Sequence, residues 1–298
     1  MKRTLLIAPL LLLLMNCGSF NSTTKRKGKT FKTTVLDHAV EKSYLLITET
    51  YADGKSNTLN KDKENTETEV RNFLFTYDEY GQLVNTYSSN IINGKTTNPS
   101  NLGVVLNDKK QLTTISLDED TDKLKTVYKD NILHQITHYE PEFKELVVNT
   151  FTYDKHQFPV HARLGNESKP NEVINLDFTY DLNQNVRTYK NPLEVFSFRY
   201  DDKRYMLEGQ PYYYNPFYYM SIDWLTFTTY APKNNIVEFE DDEHITTINY
   251  TYNTENLPIT ARVRKTSKIN ALDSRVTCEY EFYYKELEVT RLKNKKRK

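Results

Sequence analysis

The segment NTFTYDKHQFPVHAR, residues 149–163, is nearly restated as INYTYNTENLPITAR, residues 248–262. The phrase belongs to a wider pattern. Tyr77, Tyr153, Tyr180, Tyr200 and Tyr252 each follow an aromatic two positions earlier: Phe75, Phe151, Phe178, Phe198 and Tyr250. In four of them another apolar residue precedes by two more: Phe73, Leu176, Phe196 and Ile248. Side chains of a strand alternate between faces, so each set points one way. The intervening Thr76, Thr152, Thr179, Arg199 and Thr251 point the other way and are polar. After each Tyr comes Asp78, Asp154, Asp181, Asp201 or Asn253, residue types that bond their own backbone and open turns. Leu83, Phe158, Val186, Met206 and Leu257 then begin return strands. Each phrase is therefore expected to be a β-hairpin. An isolated hairpin is marginal in water, so the units must lie side by side on one continuous aromatic face.

The remaining chain reads the same way. Segments such as SYLLITETY, QLTTISL and EVINLDFTYD alternate and are broken by Asp, Asn, Gly or Pro, and none shows a 3.6-residue period. The stretch YDEYGQL, Tyr77 to Leu83, resembles the YD-repeat (RHS-type) phrase Tyr-Asp-x-x-Gly-x-Leu. The other copies carry Gln157, Gln184, Arg204 and Asn256 at the Gly position. The likeness covers most of residues 70–265, and the chain is also similar to YD-like envelope lipoproteins of Gram-negative bacteria. Large YD-repeat proteins wrap hairpins into a shell around a toxin. This chain has fewer hairpins and no cargo segment, so that role is not carried over. The expected fold is all-β: an antiparallel meander of YD-like hairpins, strongly twisted, and curled or partly closed to shield its edges. The rival is a transmembrane barrel, whose strands also alternate.

The chain starts MKRTLLIAPLLLLLMNCGS, with Lys2 and Arg3 ahead of an apolar run too short to span a bilayer. Ending on Cys17, with Leu14 three positions before it, this start resembles a bacterial lipoprotein signal, although Asn16 stands where a small residue is usual. The resemblance implies cleavage after residue 16, acylation of Cys17 and membrane attachment through lipid. Gly18 and Ser19, with no Asp beside the Cys, imply the outer membrane, and the periplasmic face is favoured over the cell surface. A plain signal peptide or an uncleaved anchor are the alternatives. A lipid anchor is redundant on a transmembrane barrel, and the terminal RLKNKKRK is no barrel strand. Four segments follow: signal peptide 1–16, lipidated Cys and polar tether 17–30, one β-hairpin domain 31–290, and a basic tail 291–298. Cys278 alternates onto an apolar face with Val276, Tyr280 and Phe282 and reads as a buried thiol.

Charge excludes some functions. Forty basic groups balance forty acidic ones, which gives no pull toward nucleic acid. Nucleophile elbows, phosphate-cradling loops and metalloprotease helices are absent from the sequence. His134 and His138 fall in a strand pattern, where four residues span roughly 13 Å, too far for one metal ion. DEDTDK (118–123) puts Lys123 where a calcium loop needs Gly, and EFEDDEH (238–244) reads as a hairpin tip. No metal, cofactor or catalytic activity is expected.

One region breaks the rhythm. Tyr200 and Tyr252 are 52 positions apart, against 27 and 20 for the preceding intervals. The excess, an aromatic insert at about 205–230, contains Tyr212, Tyr213, Tyr214, Phe217, Tyr218, Tyr219 and Trp224. Consecutive rings cannot all face one core, and exposed rings can stack on sugars or anchor a partner protein. The opposing reading is a plug wedged against the sheet. The sequence thus points to a non-catalytic envelope scaffold for binding or assembly. The alternatives are a carbohydrate-binding or glycan-active protein using residues 209–230, and an outer-membrane barrel.

Overall fold

A computed structural model describes residues 29–44, 47–50, 56–59, 67–92, 95–109, 111–117, 120–140, 145–166, 169–207, 232–271 and 273–291. The first strands are β1 (Lys29–Tyr44), β2 (Ile47–Thr50), β3 (Ser56–Leu59), β4 (Glu67–Tyr77), β5 (Leu83–Ile92) and β6 (Lys95–Leu106). Next come β7 (Leu112–Leu117), β8 (Asp120–Lys129), β9 (Ile132–Glu140), β10 (Glu145–Tyr153), β11 (Pro159–Asn166) and β12 (Lys169–Tyr180). The last are β13 (Val186–Lys190), β14 (Val195–Arg204), β15 (Asn234–Glu240), β16 (His244–Tyr252), β17 (Pro258–Ser267) and β18 (Ser274–Arg291).

From β4 to β18 every strand pairs antiparallel with the next, as a meander of hairpins requires. β1 then closes the sheet. It pairs with β18 along one edge and with β4 along the other, giving a closed barrel. β2 and β3 form a separate two-stranded sheet. Closure removes the exposed edges that an open sheet would have to protect.

The repeated phrases divide inside from outside. Phe73, Phe75, Phe151, Leu176, Phe178, Phe198 and Ile248 are buried in one continuous cluster. Tyr77, Tyr153, Tyr180, Tyr200 and Tyr250 pack against it. Thr76, Thr152, Thr179, Arg199 and Thr251 are exposed on the outer wall. That wall carries cross-strand polar pairs: Thr179 with Thr188 and Thr251 with Thr260 at 2.6 Å, and His161 with Asp177 at 2.9 Å. Leu74, Val105 and Val127 are exposed on the same wall. An apolar interior with a mainly polar exterior differs from a porin-type wall, which has a polar lumen and a continuous apolar band outside.

Cys278 is free and buried, as its alternation predicts. Burial, with the Glu41 carboxylate close by, pushes its thiol up to about 12. His134 and His138 lie on β9. Residues 241–243 make the tip joining β15 to β16.

One expectation fails. Met206 starts no return strand, and Asp201 opens no turn. β14 runs on through Asp201 to Arg204, and its partner is β15, beyond the insert. Twenty-nine residues stand between these strands, so Asp201 keeps only the bond from the N–H two residues on, Lys203 N at 3.0 Å, and lacks the second one from the start of a return strand.

Candidate functional site

Antiparallel order sends alternate connections to opposite ends of the barrel. One end collects every turn of the repeated phrase, the link from β14 to β15, the start of β1 and the finish of β18. We call it the turn end.

Its turns are built alike. The Asp78 side chain accepts from the backbone N–H groups of Tyr80 and Gln82 at 2.8 and 2.9 Å. Asp154 does so from His156 and Phe158, and Asn253 from Glu255 and Leu257. The fourth residue of each turn is left-handed: Gly81 at φ 79°, Gln157 at 68°, Gln184 at 71° and Asn256 at 59°. Only glycine takes that conformation without steric cost, which explains the glycine of the YD phrase. Gly81 is also tight, since a Cβ there would meet Val289 Cγ1 at 3.0 Å. A further turn of this kind begins at Asn107, which accepts from Lys109 and Gln111. It is hidden in the sequence because Leu106 stands where the other copies have Tyr.

The repeated tyrosines serve more than packing. Tyr77 donates its hydroxyl to Leu36 O at 2.8 Å, Tyr180 to Pro159 O at 2.7 Å and Tyr200 to Val186 O at 2.9 Å. Tyr153 donates to Leu133 O, and Tyr284 to Pro258 O at 2.7 Å. Every acceptor sits just before a β-bulge: at Asp37, His134, Val160, Arg187 and Ile259 the register skips one residue. A bulge takes a carbonyl out of the ladder, and a buried carbonyl needs a donor. The tyrosine of the next strand supplies it.

Asparagines hold the base of the insert. Asn185, buried, donates to Asp181 Oδ2 at 3.1 Å and to Asn234 Oδ1 at 3.0 Å, and accepts from Lys233 N at 2.9 Å. Asn235, also buried, donates its side chain to Arg204 O at 3.1 Å and its backbone N–H to Asp201 Oδ1 at 3.1 Å. Asp201 takes the hydroxyl of Tyr252 as well, and burial followed by this carboxylate raises that phenol. The sequence reading missed these asparagines. Three amides bracketing an irregular insert were the available signal.

Two clefts open beside this clamp, and Arg204 lines both. The smaller, 170 Å³, lies among Phe31, Thr33, Tyr77, Tyr80, Gly81 and Met206. The larger, 490 Å³, lies among Asn183, Asn234, Asn256, Asp202, Glu255 and Lys233. Its wall is amides, carboxylates and cations, able to donate and accept many hydrogen bonds. Such a surface suits a hydroxyl-rich or zwitterionic ligand, with Phe31, 42% exposed, as a nearby ring.

Tyr212, Tyr213, Tyr214, Phe217, Tyr218, Tyr219 and Trp224 lie outside the described residues, as do Cys17, the tether up to residue 28 and residues 292–298. Leu207 and Pro232, which bracket the insert, are at the turn end and buried. Among the described residues no group of three or more His, Cys, Asp or Glu could hold a metal ion. No helix there is long and apolar enough to cross a membrane, which says nothing of β-barrels.

No family model and no curated protein matches the chain. Solved structures do. A porin-like protein from Bacteroides uniformis aligns over 84% of this chain and 98% of its own, at 11% identity and TM-score 0.55. A porin-like protein from Bacteroides vulgatus aligns over 84% and 98%, at 9% identity and TM-score 0.28. The Tc holotoxin pore of Photorhabdus luminescens aligns over 82% of this chain and 11% of its own, at 13% identity and TM-score 0.26. At such identities the first match shows a shared fold, a closed all-β barrel.

Proposed function

We propose that this chain is a non-catalytic lipoprotein of the bacterial cell envelope, built of degenerate YD-like hairpins, whose barrel supports a binding face at the turn end. The observation that carries it is the distribution of side chains on the wall. An apolar inner face argues against an aqueous channel, and an outer face that is mostly Thr, Asn and charge, with Leu74, Val105 and Val127 exposed among them, argues against the continuous apolar band of a lipid-facing wall. What remains for function is the ends, and one end holds two clefts and the clamped base of an aromatic insert. The Cys17 signal supplies the address, with lipid attachment at the outer membrane and the domain facing the periplasm.

Metabolic labelling with a fatty acid tests the anchor: the native chain takes up label and Cys17→Ala does not. A chain starting at residue 18 is expected to stay soluble without detergent. A requirement for detergent would instead establish the integral outer-membrane barrel.

The amide- and carboxylate-lined cleft favours a carbohydrate as ligand. Peptidoglycan fragments and envelope polysaccharides should shield Trp224 from acrylamide, and Asn183→Ala with Asn256→Ala should weaken that protection. Turnover of any glycan would replace the scaffold reading with a glycan-active enzyme.

A further inference from the structure

β1 and β18 run past the rest of the wall. β1 pairs with β18 along almost its whole length, but with β4 only from His38 onward. β18 in turn pairs with β17 only as far as Glu281. Residues 29–36 and 284–291 therefore make a two-stranded ribbon beyond the rim at the turn end. Among the described residues no strand pairs with its two outer edges. They are the edges that closure of the barrel leaves over.

Two contacts give the direction of the backbone groups. Opposed residues of an antiparallel pair turn their N–H and C=O groups either toward each other or away, in alternation. Thr290 turns its N–H away from β1, to Glu79 O at 2.9 Å. Its register partner is Thr30, so Thr30, Lys32, Thr34 and Leu36 face outward from β1 as well. Leu36 O agrees, because it accepts the hydroxyl of Tyr77 from beyond that edge. Thr30, Lys32 and Thr34 thus present a row of donors and acceptors spaced about 7 Å apart.

The two edges are unlike. β18 carries Lys285, Glu286 and Glu288, all exposed, and charged side chains blunt an edge against added strands. β1 offers Thr30, Phe31, Thr33, Thr34 and Val35, types that suit a pleated surface. Its one charge over this stretch, Lys32, is held by Glu286 at 2.7 Å.

The smaller cleft adjoins this edge. Thr33 and Thr34 both line it. Neighbours in a strand point to opposite faces, so a space touching both reaches the side of β1 that β18 does not fill. Phe31, Val35, Met206 and Val289 make its walls apolar, and Arg204 is the one charged residue among those lining it. A cavity of about 150 Å³ accepts benzene, so 170 Å³ takes one apolar side chain.

We propose that β1 is a docking strand: an extended segment of a partner protein adds beside residues 30–34, seating an apolar side chain in the small cleft and a carboxylate side chain on Arg204. Main-chain bonds to the edge supply affinity, and the cleft supplies selectivity. Side chains entering one face stand two residues apart, so the acidic residue lies two from the apolar one. Neither the lipid anchor nor the carbohydrate reading of the larger cleft is required for this docking.

Amide exchange in the Cys17→Ser chain tests the edge without a ligand. The N–H groups of Phe31, Thr33 and Val35 should be protected, and those of Thr30, Lys32 and Thr34 should exchange about tenfold faster or more. Equal protection of all six would mean that the chain itself already covers the edge, and overturns the proposal.

The partner is tested with fluorescent octapeptides in which threonine alternates with valine, leucine, glutamate and valine. Binding, read by anisotropy, should slow exchange at Thr30, Lys32 and Thr34. Methylating the peptide nitrogens of one alternate set should weaken binding by about tenfold or more, and methylating the other set should not. Arg204→Gln should weaken it by about threefold, with no effect on the peptide that has glutamine for glutamate. Lys32→Pro removes one outward N–H while sparing the ladder to β18, and should abolish binding. If that variant fails to fold, the methylated peptides decide alone. No binding by any peptide, binding indifferent to both methylated sets, or equal binding with lysine for glutamate overturns the proposal. Self-association of the chain that excludes the peptide overturns it too.

Discussion

Replacing Tyr180 by Phe removes one oxygen and little else. The ring stays, tilted against Phe158 at 5.1 Å between centroids. The lost hydroxyl is the one that reaches Pro159 O at 2.7 Å, in front of the bulge at Val160. The carbonyl left behind is partly buried, and an orphaned carbonyl costs about 1–3 kcal/mol, while a neutral hydrogen bond contributes about 1 net. Partial burial places Tyr180→Phe near the low end, at about 1–2 kcal/mol. For a domain of this size each kcal/mol moves Tm by about 2–4 °C, so a fall of about 3–6 °C is expected. Urea unfolding should show a lower midpoint at unchanged slope, since no surface is newly exposed. The control is Tyr283→Phe, whose ring is 41% exposed and whose hydroxyl reaches Glu281 at 2.5 Å in solvent; it should change stability by under about 0.5 kcal/mol. If Tyr180→Phe were as stable as the parent, the tyrosine would be a packing residue and the link between bulge and hydroxyl would be wrong.

The left-handed turn positions predict the opposite sign. Gln157→Gly and Gln184→Gly should each stabilise by up to about 1 kcal/mol, while Gly81→Ala, which adds a clash with Val289, should destabilise by at least as much, all read from urea midpoints. Cys278, with its thiol at about 12, should resist thiol reagents at pH 8 in the folded Cys17→Ser chain and react at once in urea; fast labelling of the folded form would contradict its burial. On the β1–β18 seam, Asp37 is held below its ordinary 3.8, chiefly by Lys285 and then by His38, and Glu281 below 4.5 by Tyr283 and then Lys42. Folded-state values below the unfolded ones mean stability present above about pH 4.5 and lost as pH falls through the depressed values. The urea midpoint should drop in that window, and Lys285→Met should flatten the drop.

The hairpins were legible because their cause is local. A period of two, with Phe75, Phe151, Phe178 and Phe198 on one side and Thr76, Thr152 and Thr179 on the other, sets which face is buried wherever the strand ends up. Asp78, Asp154, Asp181 and Asn253 close turns with their own next few N–H groups, so five consecutive residues contain each turn. The Asn107 turn escaped because Leu106 breaks the aromatic spelling while leaving the turn chemistry intact.

Asp201 shows the limit of that reading. It has the same sequence neighbourhood as the other turn carboxylates and keeps the local bond from Lys203 N–H, yet the insert removes the return strand, and its remaining bonds come from Asn235 and Tyr252 on strands far along the chain. The site at the turn end has the same character. Asn185, Asn234 and Arg204 are unremarkable until β14 and β15 pair across twenty-nine intervening residues.

The sequence by itself determined that the chain is all-β, which side chains face inward and where most turns fall. Only the tertiary structure decided that the sheet closes, that β1 is the strand closing it, which carbonyl each tyrosine satisfies and that the start of β1 and the finish of β18 share one end. The reason is physical. Alternation and turn chemistry act over a handful of residues, whereas closure depends on registers and bulges that must agree among strands from one end of the chain to the other.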